Sequence, residues 1–500
     1  MRYVNPAHLA PAMRILSDEQ IHVLHNATLE VLRRTGVDVR SEKTRQRLAD
    51  AGCWLEGERV RIPSHLINWA TQQAPKRVVL CNRHGEPALE LQERRTYFGT
   101  GSDTPNVVDL ESGERRPAVI EDVENVARLV DALPNMDFVM CMGIASDVPA
   151  EISDLYHFRA MARNTLKPNV FTAWNARNLE FILAMAQAIA GGEAELARSP
   201  FCALYAEPTA PLIHGLDACE KLELICSAGV PVVYTPGLIT GASSPVTGAG
   251  AVVIANAELL SGLLICQLIR AGAPVIAGGG GMMAMDMRSM IASYGAPEFM
   301  LDWCALREMA AYYNVPVFGF SGVTDAQLFD QQAGIEGALW VLLSALAGGN
   351  LVHDVGYIES GLTTSYEMLV AMDETIGLVR RFMQGVAINT ETIAADVIEQ
   401  VGPGGHFVAH EHTLDHFREN WYPTVFSRTN RSGWEAAGAE TLGERAHARA
   451  VSILADHWPE PMDEGRQASL DAIVRQATHD LEVSSLSPSR SKNRMEVIHD

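Results

Sequence analysis

PVVYTPGLITGASSPVTGAGAVVIANAELLSGLLICQLIRAGAPVIAGGGG, residues 231–281, holds a short apolar run (231–234, PVVY), a helix-length stretch (249–270) and a second short run (274–277, PVIA) closed by glycines. Runs this short, apolar on both faces and joined by a helix, read as parallel strands covered by helices. The unit recurs on both sides. Runs at 97–100 (YFGT), 138–143 (FVMCMG), 169–173 (NVFTA), 201–205 (FCALY), 316–320 (PVFGF) and 350–355 (NLVHDV) complete a series of eight. Helical stripes at 120–132, 153–162, 179–190, 216–227, 297–313, 330–347 and 366–382 follow the other seven in turn. Eight β/α units in one series predict an α/β fold, a (β/α)8 TIM barrel with right-handed crossings and its chemistry at the strand C-terminal ends.

A barrel core of about 250 to 300 residues absorbs most of the 500-residue chain. We read residues 1–95 as an N-terminal α+β cap, 96–384 as the barrel and 385–500 as a C-terminal helical extension ending in a polar, mobile tail from 484. In the cap, Ser17 and Gln20 form a capping-box signal before the stripe Ile21, Leu24, Thr28 and Leu32, and Gly36 stops that helix. Short strands are expected at 37–39, 59–62 and 78–81, and Ser-Gly at the centre of 106–117 marks a hairpin inserted after the first barrel strand, walling one side of the site. The middle of the C-terminal extension is expected over the barrel mouth or in a subunit contact.

A hydrophobic content of 47% supports a large buried interior, and a net charge of −22 argues against nucleic acid and anionic membranes. A cationic or zwitterionic ligand, or a basic partner protein, suits that balance. Of the eight cysteines, Cys141, Cys202, Cys219, Cys226, Cys266 and Cys304 lie in or beside apolar strand and helix patterns, and none forms a C-x-x-C pair. They read as small core residues in a reducing compartment. With no signal-peptide pattern at the start and no uninterrupted apolar stretch of about 18 residues, a cytoplasmic location without a membrane span is expected.

Reading off the strand ends gives the candidate site: Gly101, Ser102 and Asp103; Ser146 and Asp147; Trp174 and Asn175; Glu207; Thr235 and Pro236; 278–281; 321–325; His353, Asp354 and Tyr357. The set is acidic and aromatic, and the absence of Arg and Lys from it counts against phosphate chemistry. The glycines Gly278, Gly279, Gly280 and Gly281 either let backbone N–H groups approach a carboxylate or a planar cofactor, or make a tight βα turn. Asp103 and His353 end the first and last strands, neighbours in a closed barrel. His353 then orients a carboxylate or moves protons with Asp103 or Asp354 fixing its tautomer, or the pair merely closes the seam. Trp174, Tyr357 and Tyr366, with Phe320 or Trp303, are candidates for a cage around a methylated ammonium, or core plugs. His406, His410, His412 and His416 lack zinc-site spacing and read as surface or interface histidines ahead of a metal site.

Several longer stretches carry more. GASSPVTGAGAVVIANAELLSGLLICQLIRAGAPVI (241–276), MDMRS (285–289), GVTDAQLFDQQAG (322–334), LVHDVGYIESGLTTSYE (351–367) and GPGGHFVAHEHTLDHFR (402–418) resemble the trimethylamine:corrinoid methyltransferase family over most of the chain. The resemblance implies a methyltransferase acting with a corrinoid, cobalamin, presented by a separate carrier protein. Pyrrolysine-containing members of that family demethylate trimethylamine, while members without it include glycine betaine:corrinoid methyltransferases. No pyrrolysine occurs here, and its counterpart is placed near 322–324. A non-pyrrolysine enzyme acting on a quaternary amine, glycine betaine first, is therefore implied.

The motifs G-T-G-S-D and L-V-H-D-V-G carry Asp103 and His353 over as substrate contacts, joined by Trp174, Glu207 and Tyr357. Gly278, Gly279, Gly280 and Gly322 fall where a descending corrinoid would meet backbone. A betaine carboxylate is expected on His353 or on backbone N–H groups. No tightly bound metal is expected, and self-association is. Two other readings stand beside this one: a metal-dependent barrel hydrolase or lyase using Asp103, His353 and the 406–416 histidines, and a protein that binds a methylated amine without turnover.

Overall fold

The computed structural model describes residues 10–485. Its centre is an eight-stranded parallel sheet: β1 (Tyr97–Phe98), β2 (Val139–Met140), β3 (Asn169–Phe171), β4 (Cys202–Ala206), β5 (Val232–Tyr234), β6 (Val275–Gly278), β7 (Val317–Phe320) and β8 (Leu351–His353). The strands neighbour one another in the order β1-β8-β7-β6-β5-β4-β3-β2, and a parallel bridge between Gly99 and Phe138 joins the two ends into a barrel. The outer ring is α1 (Ile120–Ala132), α2 (Ser153–Asn164), α3 (Ala176–Ala190), α4 (Leu216–Ala228), α5 (Gly248–Ile269), α6 (Pro297–Tyr313), α7 (Gln331–Ala347) and α8 (Tyr366–Met383). All eight expected units are therefore present.

The alternation of each strand divides the core in two. Phe138, Met140, Val170, Ala203, Val233, Ile276, Phe318 and Leu351 fill the barrel interior, and the hairpin Val78–Cys81/Pro87–Leu91 inserts Val78, Leu80, Leu89 and Leu91 among them. Backbone bonds from Cys81 N to Pro200 O and from Arg83 N to Leu166 O place that hairpin at the strand N-terminal ends. It plugs the floor, so only the opposite end is open to a ligand. Each large apolar side chain buried this way stabilises the fold by about 1.5–3 kcal/mol.

Helix α5 is the structure's most apolar segment, with a mean hydropathy of 2.0 over an 18-residue window, of which 78% is buried inside the protein. Its polar residues explain that placement. Asn256 donates to Thr28 Oγ1 (3.0 Å) and to the Tyr313 hydroxyl (2.9 Å), Glu258 accepts from Leu212 N (2.6 Å), and Ser261 pairs with His214 (2.8 Å). Lipid supplies no such partners. The cap helices Asp18–Arg34 and Ser64–Gln73 cover α5 from outside.

The expected capping box is formed, with Gln20 N donating to Ser17 Oγ and Ser17 N to Gln20 Oε1. Val37–Val39 pairs with Arg59–Arg61, and on its other edge with Ile213–His214, a strand from the loop after β4 that ties the cap to the barrel. The hairpin Asn106–Val108/Arg115–Pro117 forms as read and continues through Thr363–Thr364 to Tyr357–Ile358. A second wall, not foreseen, is built by Gly237–Thr240, Gly281–Asp286 and Ile291–Ser293.

The C-terminal extension corrects an expectation. Helix Leu442–Asp456 packs on α8 and α1, and helix Glu464–Ser485 on α3 and α2. Ahead of both in the chain, Thr424 and Val425 donate their backbone N–H groups to Glu374 of α8, and the Trp421 ring lies beside Gly377. The extension thus straps the outer flank instead of covering the mouth. Apart from the end of helix Glu464–Ser485, the polar tail lies outside the described residues.

Candidate active site

At the open end, side chains from β4, β7 and β8 meet. The His353 ring centre lies 4.2 Å from that of Phe318, 4.7 Å from Phe320 and 6.3 Å from Tyr205, tilted against each, and Tyr294 packs edge-on to Phe320. His353 Nδ1 lies 2.7 Å from the Gly319 carbonyl, which can only accept, so Nδ1 carries the ring proton. Its Nε2 faces Asp354 Oδ1 at 3.1 Å. Burial pushes the imidazole down to about 3, while burial, and then the charge of Asp103, raises the Asp354 carboxyl well above its usual range. A neutral acid donating to a neutral ring satisfies both groups.

Asp354, not Asp103, is therefore the partner of His353. With both ring nitrogens engaged, His353 is not free to take a substrate carboxylate, and that expectation is corrected: it holds Asp354 in place. Gly101 makes the arrangement sterically possible, because a Cβ there would lie 2.1 Å from Asp354 Oδ1 and 2.4 Å from the Tyr357 hydroxyl oxygen. That hydroxyl donates to the Ser102 carbonyl, so Tyr357 is buried beside the acids.

Asp103 and Glu207 are enclosed by protein on most sides yet exposed to water through the mouth. Enclosure raises both carboxyls, that of Glu207 the more so because it feels the charge of Asp103; hydroxyls oppose it, those of Ser102 and Thr172 on Asp103 and that of Tyr205, 3.3 Å away, on Glu207. Access to solvent moderates the effect. Lys221, in the second turn of α4, was not among the strand-end candidates. Burial lowers its ammonium, opposed by Asp217, Glu207, Asp154 and Asp103. Tyr294 was also missed. It is carried by the second rim wall, held by Asp325, which accepts from Tyr294 N (2.7 Å), Gly295 N (2.9 Å), Ser360 Oγ (2.8 Å) and Ser293 Oγ.

Other candidates lie elsewhere. Trp174 is 53% exposed, its indole N–H donating to Ser153 Oγ (3.0 Å) at the start of α2, and it makes no ring contact with Tyr205 or Tyr357. Tyr366 is buried with its hydroxyl on Asp122, and Trp303 is wedged under the backbone at Gly279 and Gly319. Gly278, Gly279, Gly280 and Gly322 each face a close approach within the chain; a Cβ at Gly278 would lie 2.0 Å from Thr235 Cα, and one at Gly279 2.2 Å from the Phe318 carbonyl oxygen. His410, His412 and His416 bond to Gln400, Glu391 and Glu419 of the C-terminal extension, so the structure does not bring these histidines to Asp103 or His353. Among the described residues, no group of three or more His, Cys, Asp or Glu is placed to hold a metal ion.

Acidic groups with shifted protonation, tyrosine hydroxyls and aromatic faces converging on the open end of a plugged barrel define a (β/α)8-barrel enzyme site. The chain belongs to the trimethylamine methyltransferase (MTTB) family, whose sequence profile matches residues 2–481. It is 33% identical over 462 residues to trimethylamine methyltransferase MttB of Desulfitobacterium hafniense (strain DSM 10664 / DCB-2), covering 92% of this chain and 93% of that one. It is 30% identical over 471 residues to glycine betaine methyltransferase of Desulfitobacterium hafniense (strain Y51), covering 94% and 98%. Among solved structures it is similar to the Methanosarcina barkeri monomethylamine methyltransferase MtmB, with TM-score 0.48 and 12% identity, covering 90% of this chain and 96% of that one.

Proposed function

We propose that this methyltransferase moves a methyl group from a quaternary amine, glycine betaine first, to cob(I)alamin presented by a corrinoid carrier protein. The observation that carries the reading is the mouth itself: the carboxyls of Asp103 and Glu207, with the neutral acid Asp354 behind them, beside the rings of Tyr205, Tyr294, Phe320 and Tyr357. Such a bowl attracts an ammonium that has no N–H to donate through charge and ring faces alone.

A quaternary nitrogen is already cationic. When its methyl carbon is attacked in line, the C–N bond breaks with both electrons going to nitrogen, and a neutral tertiary amine leaves without a proton donor. The chain's residues then have to desolvate the ammonium and aim one methyl outward, at about 3 to 3.5 Å from the attacking atom. The corrinoid supplies that nucleophile. The fit is supported by the open mouth and by exposed apolar side chains on its rim loops, Met287, Met290, Ile291, Leu328 and Leu362. Gly278, Gly279, Gly280 and Gly322 keep the strand ends low beneath them.

Eight free, buried thiols support a cytoplasmic location, and exposed Val386, Ile388 and Val408, with Phe382 at the end of α8, support self-association through the C-terminal extension. The test mixes the protein with reduced cob(I)alamin, free and on a carrier protein, and with glycine betaine, other quaternary amines and trimethylamine, following the corrinoid spectrum. Methylation from a quaternary amine is expected. Silence with every quaternary amine, or turnover of trimethylamine alone, overturns the reading.

A further inference from the structure

Lys221 reaches from α4 to the end of β3, where its ammonium donates to the Ala173 carbonyl at 2.9 Å. Among the described residues that is its one hydrogen bond, and no ion pair holds it. Lys167, also enclosed, shows what a structural lysine looks like here: its three N–H groups go to the carbonyls of Val130, Leu133 and Met136. A half-buried ammonium with two unused donors, within electrostatic range of Asp103 and Glu207 at the mouth, lacks a partner of the kind such a group needs.

Resting on the quaternary-amine reading, we infer that Lys221 recognises the substrate's carboxylate, making the site selective for short zwitterions over simple cations. The ammonium of such a molecule meets the carboxyls and rings of the bowl, while its carboxylate takes the two free Lys221 donors. The spacing suits a betaine with very few atoms between its charges, because Lys221 shares electrostatic range with the same acids that attract the ammonium. His353 cannot do this, since both of its ring nitrogens are engaged.

The competing role for Lys221 is to neutralise Asp103 and Glu207, and the two roles predict opposite selectivities. Equilibrium binding of glycine betaine and of tetramethylammonium is measured by calorimetry on the wild type, Lys221→Met and Lys221→Arg, with melting temperatures alongside. Charge-assisted hydrogen bonds of this kind give an expected loss of betaine affinity of at least about tenfold in Lys221→Met. Tetramethylammonium is expected to bind Lys221→Met as well as or better than the wild type, and Lys221→Arg to retain most of the betaine affinity. Equal losses for both ligands, unchanged betaine affinity in Lys221→Met, or tighter betaine binding there would overturn the assignment while leaving the quaternary-amine reading standing. Failure of the wild type to bind either ligand would refute that reading and this assignment with it.

Discussion

Replacing Asp325 with alanine tests whether the second rim wall seats Tyr294 in the bowl. The carboxylate gathers four donors from two separate stretches of chain: Tyr294 N and Gly295 N at 2.7 and 2.9 Å with Ser293 Oγ, and Ser360 Oγ at 2.8 Å. A hydrogen bond to a charged group contributes about 1.5–3 kcal/mol. These four are half-exposed and share one acceptor, so they do not add fully, and water replaces the hydroxyl partners. About 3 kcal/mol of local stability is a reasonable total. Because the wall lies outside the barrel core, the loss should appear as local opening with little change in melting temperature. Amide hydrogen exchange of peptides spanning 287–296 should accelerate about 100-fold, and affinity for glycine betaine should fall about tenfold as Tyr294 loses its seat. Asp325→Asn, which keeps one acceptor oxygen, should fall between. Exchange and affinity both within threefold of wild type would refute the idea that Asp325 builds the site.

Asp103→Gly removes a carboxylate together with the strain of a side chain at a positive φ of 68°, so stability should be unchanged or higher by about 1 kcal/mol, while betaine affinity drops about tenfold; a melting temperature lower by several degrees would show that Asp103 serves the fold instead. Because enclosure raises the carboxyls of Asp103 and Glu207, acid neutralises them at a higher pH than ordinary carboxylates, so quaternary-amine affinity should weaken as pH falls while still above about 4; calorimetry showing an affinity that stays level until the pH is below about 4 would contradict this. Trp174→Ala should change affinity less than threefold, since the ring is tied to Ser153 and 53% exposed; a tenfold loss would return it to the cage.

The barrel was legible because its strands are buried on both faces and its helices cap or stop cleanly. The stripes at 120–132 and 297–313 coincide with α1 and α6 at both ends, and Pro297 opens α6 where its missing N–H is harmless. The second rim wall was not legible. Gly237–Thr240 and Gly281–Asp286 are short, glycine-led and half-exposed, so neither apolar runs nor alternation marks them. Lys221 and Tyr294 escaped because only strand ends were searched, whereas a helix begins at the mouth and its second turn can still reach it. His353 was found, but its role depends on the Gly319 carbonyl, a backbone group that no sequence pattern displays. Trp174 was overweighted for the opposite reason: its position is at a strand end, yet Asp154 and Ser153 hold it on the α2 side.

The two acids nearest the seam carry costs that a sequence selected for stability alone would shed. Asp103 and Asp354 follow β1 and β8, which pair, and both adopt left-handed backbone, with φ of 68° and 72°. Glycine would relieve that strain at each position, although aspartate tolerates it better than most residues. Each carboxyl is also enclosed, and the charge of Asp103 disfavours ionisation of Asp354. Strain, desolvation and repulsion therefore converge on the same two side chains, and the surrounding chain overdetermines their positions through Gly101, Tyr357 and His353. Local rules broken together in this way mark a site held for its chemistry. A cation entering the bowl relieves the repulsion and favours the ionised acids. Binding of the proposed quaternary ammonium and release of carboxyl protons would in this respect be one event, so that its affinity and the pH dependence predicted above would share one structural origin.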